Sequence, residues 1–384
     1  MDIQLLSTSS SPALNTILSD ATLDPLLYDL KTAYPMMSRQ KVSVKAGSGF
    51  GFAKANSFQL PRFGILSGLV LKLCVNQDTA ATGVPGENCG NALLKRAALT
   101  SHSREIEQTL DIMNLTHVLE MPLGAKTCLM NLALNDDPVS ASLIQGDNFI
   151  YVPLNFSFCR SGLSMSLDLS FCESIECVVE LDEKANVFGA TNLENLTVDA
   201  AQTELLVYYY NLSESDLRKY EDAEFSIERP LSMMAKSCYR ENAVSKTIAQ
   251  ATTDTITVNF NCPNVITKTA IGVYELGSGL KGSYRPVDKI EYFMSGRLVW
   301  SSTGVEESQL ENSLFYGTSY GAGEVSGTVS STDNSQNIYT HFWGVSNENN
   351  RMSGACSGKP IASKNNTPFS NVWENVKTAV AVCC

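Results

Sequence analysis

Two glycine-rich segments of this sequence match patterns that activate a serine or bind a phosphate. Residues 317–321 read GTSYG and fit GxSxG, the turn that presents a hydrolase nucleophile between a strand and a helix. Residues 277–282 read GSGLKG and fit GxGxxG, which cradles a phosphate when a helix follows it. The required helix is missing in both places, because AGEVSGTVSSTDN follows the first segment and a proline soon follows the second. We therefore expect turns at both positions.

The residues that commonly ligate metals are scattered. The three histidines are His102, His117 and His341. They are far apart in sequence and form no HxH or HExxH spacing, so a zinc site would need remote residues to meet. The acidic pairs at 136–137 and 306–307 lie in loop-like sequence, where solvation is the plain interpretation and Ca²⁺ at a subunit contact is the alternative. We predict no catalytic, cofactor-binding or metal-binding residues and no cofactor.

Charge and composition exclude two classes of partner. The chain has 384 residues and a formal net charge of −12. A surface that coats nucleic acid needs clustered Lys and Arg, and so does one that binds anionic lipid headgroups. The aromatic run at 208–210 has no basic residues interleaved with it, which favours packing over base stacking. We expect no direct nucleic-acid binding.

The cysteines indicate a reducing environment. There are eleven, an odd number, without a CxxC pair. Buried reduced thiols are therefore a better interpretation than a disulfide framework. The first residues lack the basic start and apolar core of a signal peptide, and no stretch approaches the roughly 20 apolar residues of a membrane span. We expect the protein to be made and retained inside the cell until released by another route.

The chain is organised around residues 148–181, which predict three antiparallel strands. Apolar residues occupy alternate positions over 152–158, again over 163–171 after a short turn, and again over 175–181. Period-two alternation of this kind is typical of strands with one buried and one solvated face. This block has the character of a scaffold.

Most of the remaining chain also predicts strands. They fall at 57–63, 69–75, 203–210, 255–260, 270–276, 289–293, 297–300, 338–344 and 376–383. Residues 92–121 predict strands with a helical piece. Helices are predicted at 24–30, within an N-terminal arm, and at 213–225, where a capping box opens the segment. A linker follows at 226–230, and a loop of about twenty residues at 316–337.

These elements predict an all-β protein of two tandem domains, each a β-sandwich or a jelly roll. We assign residues 1–40 to an N-terminal helical arm, 41–228 to the first domain and 229–384 to the second, with a helix near the domain junction. No internal repeat is visible as sequence identity.

Several segments, in the same order, resemble the major capsid proteins of nucleocytoplasmic large DNA viruses and related tailless icosahedral double-stranded DNA viruses. The segments are SFQLPRFGILSGLVLKLCV (57–75), ALLKRAALTSHSREI (92–106), the block at 150–181, the strand and helix at 205–228, KIEYFMSGRLVW (289–300) and NIYTHFWGVSNENNRMSGACSG (337–358). The resemblance implies a double jelly roll that forms homotrimeric, pseudo-hexagonal capsomers and tiles an icosahedral shell, often over an internal membrane.

We therefore expect a structural, non-enzymatic major capsid protein located in the virion and assembled inside the host cell. Its expected partners are copies of itself in the trimer and in neighbouring capsomers, minor capsid or penton proteins, and membrane proteins reached through the arm 1–40. The alternatives are a minor or vertex capsid protein, a glycan-binding sandwich of the spike or lectin kind, and a glycan-cleaving enzyme with paired carboxylates in a cleft.

Overall fold

The structure of the protein is a computed structural model. It describes residues 37–62, 64–78, 84–86, 88–119, 128–129, 132–133, 143, 146–160, 167–168, 174–189, 195–212, 238–240, 244–248, 253–260, 265–266, 268–275, 281–282, 284–285, 287–294, 296–303, 307, 310, 337–343, 355–356, 361–368 and 373–383. The predicted helices at 24–30 and 213–225, the linker at 226–230, the GxSxG segment, the acidic pair at 136–137 and Glu306 lie outside these residues, as does nearly all of the predicted loop at 316–337. None of the described helices is long and apolar enough to cross a bilayer.

Twelve strands and four short helices form the first half of the described chain. The strands are β1 Met37–Lys45, β2 Ala55–Gln59, β3 Ile65–Gln77, β4 Val84–Pro85, β5 Leu94–Ser101, β6 Arg104–Leu110, β7 Gly146–Leu154, β8 Leu167–Asp168, β9 Ile175–Leu181, β10 Phe188–Gly189, β11 Leu196–Val198 and β12 Glu204–Leu212. The helices are α1 Cys89–Leu93, α2 Asp111–Leu119, α3 Ser157–Arg160 and α4 Lys184–Val187.

Eleven further strands form the second half. They are β13 Cys238–Arg240, β14 Val244–Ile248, β15 Thr253–Phe260, β16 Val265–Ile266, β17 Lys268–Glu275, β18 Lys289–Met294, β19 Arg297–Thr303, β20 Ile338–Phe342, β21 Ala355–Cys356, β22 Ile361–Pro368 and β23 Trp373–Cys383.

Both halves pair their strands in the same order. In the first half one sheet runs β1-β12-β3-β7 and the facing sheet runs β2-β9-β5-β6. In the second half the sheets run β14-β23-β17-β20 and β15-β22-β18-β19. Every one of these pairings is antiparallel. Short strands extend two of these sheets, since β8 and β11 also pair with β3, and β13 also pairs with β23. Two facing sheets with this four-strand order, in which the first strand lies beside the last, are a jelly roll, so the predicted all-β double jelly roll is confirmed.

Alternating side chains from both sheets fill the core of the first half. Strand β9 shows the clearest pattern, because Ile175, Cys177, Val179 and Leu181 are buried while the residues between them are half-buried. They pack against buried residues of β3 and β7 in one continuous cluster. The predicted third strand of the 148–181 block is therefore confirmed.

The first strand of that block ends earlier than predicted. Strand β7 stops at Leu154, and α3 begins at Ser157, so Phe156 and Phe158 do not continue the alternation. The physical cause is Asn155, whose backbone N–H donates to the side chain of Asn114 at 2.9 Å instead of joining the ladder. The two phenylalanines are buried and stack with ring centroids 5.8 Å apart. Of the second predicted strand, 163–171, only β8 lies within the described residues.

The other segments mostly agree with their predictions. Within the predicted mixed segment 92–121, residues 94–119 form β5, β6 and α2, which confirms the mixed interpretation. Cys74, Cys89, Cys177 and Cys238 are buried free thiols, while Cys128 is exposed. Strand β1 begins at Met37, where it pairs with Leu212 at the end of β12.

Candidate functional site

Free sheet edges are the first candidate for a functional surface. A strand at the edge of a sheet presents unpaired backbone donors and acceptors, which template association with another chain unless something covers or blunts them. Strand β19 pairs only with β18, and β1 only with β12, within the part of the chain that the structure describes. Each half of the molecule therefore carries an outer strand available for contact.

The edge at β19 exposes two adjacent apolar side chains. Leu298 and Val299 are 52% and 50% exposed, which is high for branched aliphatic side chains. The register shifts here, because Tyr292 faces Trp300 while Phe293 faces Leu298, so Val299 is an extra residue in β19. A bulge of this kind turns adjacent side chains to the same side of a strand. The result is a small exposed apolar patch on an unpaired edge.

The edge at β1 is basic. Arg39, Lys41 and Lys45 are exposed along it, in a chain whose net charge is −12. The Arg39 guanidinium lies 4.8 Å from the ring centroid of Tyr208 on the neighbouring strand. Positive charge on an edge strand discourages indiscriminate pairing.

The junction between the two halves is the second candidate. Helix α2 belongs to the first half by its position in the chain, yet its apolar side chains pack into the second half. One buried cluster contains Leu110, Ile112, Met113, Leu115, Cys238, Ala270, Tyr284 and Ile338. Gly272 makes this packing possible, since a Cβ there would meet the Tyr284 ring at 2.4 Å and Ile112 Cδ1 at 3.0 Å.

Hydrogen bonds also cross this junction. The Lys268 ammonium donates to Thr116 Oγ1 on α2 at 3.0 Å, and Gln108 Nε2 donates to the Cys238 carbonyl at 2.6 Å. On its other side α2 is bound to the first half through Asn114, whose amide donates to the Pro153 carbonyl at 2.7 Å. The helix is thus attached to both jelly rolls.

A buried ionic group completes the junction. Lys281 Nζ lies 2.5 Å from Asp182 Oδ2 and 2.8 Å from Asp111 Oδ2. Burial pushes the pKa of Asp182 upward, but the Lys281 charge and hydrogen bonds from Lys281 and Asn186 outweigh it and hold that pKa below its ordinary value. Lys281 comes from the GxGxxG segment, which the sequence predicts to be a turn; residues 281–282 do form a turn, and its lysine binds carboxylates.

The three histidines do not meet. His102 lies in the turn between β5 and β6 with a φ of 47°, His117 lies on α2, and His341 lies on β20. His341 is buried among aromatic rings, with centroids 4.4 Å from Trp300 and 4.6 Å from Trp343. Burial lowers its pKa from 6.5 to about 4, so it is neutral at physiological pH.

One group of possible metal ligands does occur in the described residues. Cys74, Asp147 and Asp199 bring their ligand atoms within 4.8 Å of one another. Burial and the two carboxylates raise the pKa of the Cys74 thiol to about 11, so the thiolate that a metal requires is disfavoured. Asp147 already accepts hydrogen bonds from Asn76 and Gln202, both at 2.7 Å. This is a hydrogen-bonded corner of the first sheet.

The predicted packing role of residues 208–210 agrees with their positions. Tyr209 is fully buried, and burial raises the pKa of its hydroxyl well above the ordinary value. Tyr208 and Tyr210 are half-buried on the opposite face of β12. Sequence reasoning missed Lys281, Asp111 and Asp182, because an isolated lysine beside glycines carries no pattern that identifies distant carboxylates.

No family model and no curated protein matches this chain. Solved structures do. The PBCV-1 VP54 structure fitted into a reconstruction of the virophage Sputnik matches with a TM-score of 0.66 at 10% identity, over 91% of this chain and 94% of that one. The Faustovirus major capsid protein matches with a TM-score of 0.62 at 10% identity, over 95% and 91%. The mavirus major capsid protein matches with a TM-score of 0.53 at 8% identity, over 89% and 86%. At these identities the likeness establishes the fold.

Proposed function

We propose that this chain is a structural, non-enzymatic viral capsid protein, and specifically a major capsid protein that forms homotrimeric capsomers. The observation that carries the proposal is the repetition of one eight-stranded order in both halves of the chain. Two similar sandwiches per chain, multiplied by a three-fold axis, make six similar wedges and hence a pseudo-hexagonal tile. The nearly full-length likeness to viral capsid proteins supports the same function.

The free edges are the surfaces on which copies of the chain would meet. The apolar patch at Leu298 and Val299 supplies surface whose burial favours association, and the basic β1 edge supplies charge complementary to an acidic neighbour. Minor capsid or penton proteins, and membrane proteins reached through residues 1–40, are further partners in this proposal. Particles in the virion, assembled inside the host cell, would be the mature location.

Size-exclusion chromatography with light scattering on the full chain tests the proposal directly. We expect a trimer, and a stable monomer at all accessible concentrations would refute the capsomer. The Leu298→Glu variant places a charge in the apolar patch, so we expect weakened self-association with a thermal midpoint close to that of the parent, because this side chain is half exposed.

The matched control is Ser48→Glu, which adds the same charge at an exposed turn of the first half. We expect this control to assemble like the parent. Equal association of both variants and the parent would show that the β19 edge is not a contact between copies.

A further inference from the structure

A turn of the second half lies inside the first half. Residues 281–282 fall between β17 and β18, yet they make polar contacts with residues of the first half. The Lys281 backbone N–H donates to the Asn186 carbonyl at 2.8 Å, and its ammonium donates to the Ala92 carbonyl at 3.0 Å. The Gly282 carbonyl accepts a hydrogen bond from Asn88 Nδ2 at 2.9 Å. The turn is therefore held by both its backbone and its side chain.

The turn brings one positive charge into contact with two negative charges. One ammonium, 6% exposed, lies between two carboxylates, of which Asp111 is 1% and Asp182 is 15% exposed. Both carboxylates contact the same nitrogen, and they come from different parts of the first half, the start of α2 and the residue that follows β9. Without the lysine, two buried like charges would be left facing each other, which strongly disfavours their joint ionisation.

Other charged groups lie near Asp182 on the solvent side. Lys95 is bound to Glu180 at 2.6 Å and interacts electrostatically with Asp182 and Glu183. Because Lys95 is half exposed, solvent screens its influence on the buried group. Lys281 is the cation that makes direct contact with both buried carboxylates.

We propose that Lys281, Asp111 and Asp182 form a charge lock that fixes the orientation of the two jelly rolls. The apolar cluster around α2 supplies contact area between the halves, and apolar contact is itself non-directional. The ammonium donates hydrogen bonds to Asp182 and to the Ala92 carbonyl and forms an ion pair with Asp111, and hydrogen bonds from a charged donor depend strongly on direction and distance. The lock sets the orientation of the two jelly rolls relative to each other, and the apolar cluster around α2 adds stability.

The stability that Asp182 contributes follows the sign of its pKa shift. Its pKa is lower in the folded protein, so its contribution is complete above the unfolded pKa, decreases as the pH falls below that value, and is gone below the lower, folded value. In the folded protein Asp182 therefore keeps its charge at a pH at which an ordinary aspartate is already partly protonated.

Lys281→Met tests the lock, because methionine keeps much of the side-chain volume and removes the charge. At about pH 7 we expect the folded-to-unfolded ratio to fall roughly 100-fold or more, as for loss of one partner of a buried ion pair. The deficit relative to the parent should shrink at about pH 5, because protonation of one of the two facing carboxylates relieves their repulsion. Lys95→Met, which removes an exposed cation bonded to the same strand end, should show neither effect.

A second variant keeps the test decisive if Lys281→Met does not fold at neutral pH. Adding Asp111→Asn to Lys281→Met removes one of the two facing charges and should restore stability at about pH 7. A deficit that does not shrink in acid, or a double variant no more stable than Lys281→Met, would overturn the lock. All measurements use the isolated full-length chain without particles, so their outcome is independent of whether the chain forms capsomers.

Discussion

Gly272→Ala should destabilise the protein, and a second substitution in the other half of the chain should restore part of the lost stability. The new methyl group would lie 2.4 Å from the Tyr284 ring, closer than real Cβ contacts, and 3.0 Å from Ile112 Cδ1, which is a tight contact. Overpacking of a filled core costs about 1–3 kcal/mol. The small gain from replacing a strand glycine by alanine, roughly 0.5–1 kcal/mol, does not offset this.

Ile112→Ala supplies the compensation. Ile112 is fully buried on α2, so truncating it alone should cost about 2–5 kcal/mol. The cavity it leaves lies beside the Tyr284 ring, which can then move away from the methyl group at residue 272. The double variant should therefore be more stable than the sum of the two single effects by at least about 0.5 kcal/mol.

Denaturant unfolding of the parent, both single variants and the double variant measures this coupling. Ile150→Ala is the matched control for Ile112→Ala, because Ile150 is equally buried but lies on β7 in the first-half core. Combined with Gly272→Ala, the control should give additive losses. Additivity in the Ile112 cycle as well would refute the conclusion that α2 packs directly on the second jelly roll.

Two further predictions concern titratable side chains. The His341→Phe variant should lose less stability in acid than the parent does. In the parent, the folded protein keeps His341 neutral down to about pH 4, whereas the unfolded chain binds a proton there from about pH 6.5. Protonation of the unfolded chain therefore lowers the stability of the parent between these two pH values. As the pH falls, the thermal midpoint of the parent should therefore decrease more than that of the variant. A difference between the two midpoints that stays constant with pH would contradict this. In the native protein a thiol reagent should label the exposed Cys128 and leave Cys177 unmodified, because burial raises the pKa of the Cys177 thiol. Mass spectrometry after proteolysis measures the labelling of both residues. Equal labelling would contradict the buried position of Cys177.

The sequence predicts the sheets well where one face is buried and the other is solvated. In β9 the alternation of buried and half-buried residues follows the alternation of residue types from Ile175 to Leu181. The alternation predicts the wrong structure at Phe156 and Phe158. These residues keep the spacing of a strand, but Phe156 lies just before a short helix and Phe158 lies within it. The difference is made by Asn114, a residue from α2 that takes the Asn155 N–H out of the ladder. Local periodicity carries no information about such a distant partner.

The repeat of the fold is hidden for a related reason. Two strands in corresponding positions, such as β3 and β17, need only an apolar face of period two, which many sequences satisfy. What the halves share is the order in which strands pair, and pairing order leaves no trace of identity along the chain. The Lys281 junction is equally invisible, because Lys281 is separated by 99 residues from Asp182 in sequence.

The composition of the junction fits a subunit in which geometry matters more than stability. An apolar replacement of a buried ion pair is often as stable as the pair itself, so stability alone does not explain three buried charged groups between the two halves. Apolar contact is non-directional, whereas the Lys281 ammonium must face Asp111 and Asp182 at once. In the proposed six-wedge tile, a small rotation of one jelly roll against the other would be repeated at every contact around the ring. The proposed charge lock would limit that rotation within each chain, before any copy is added.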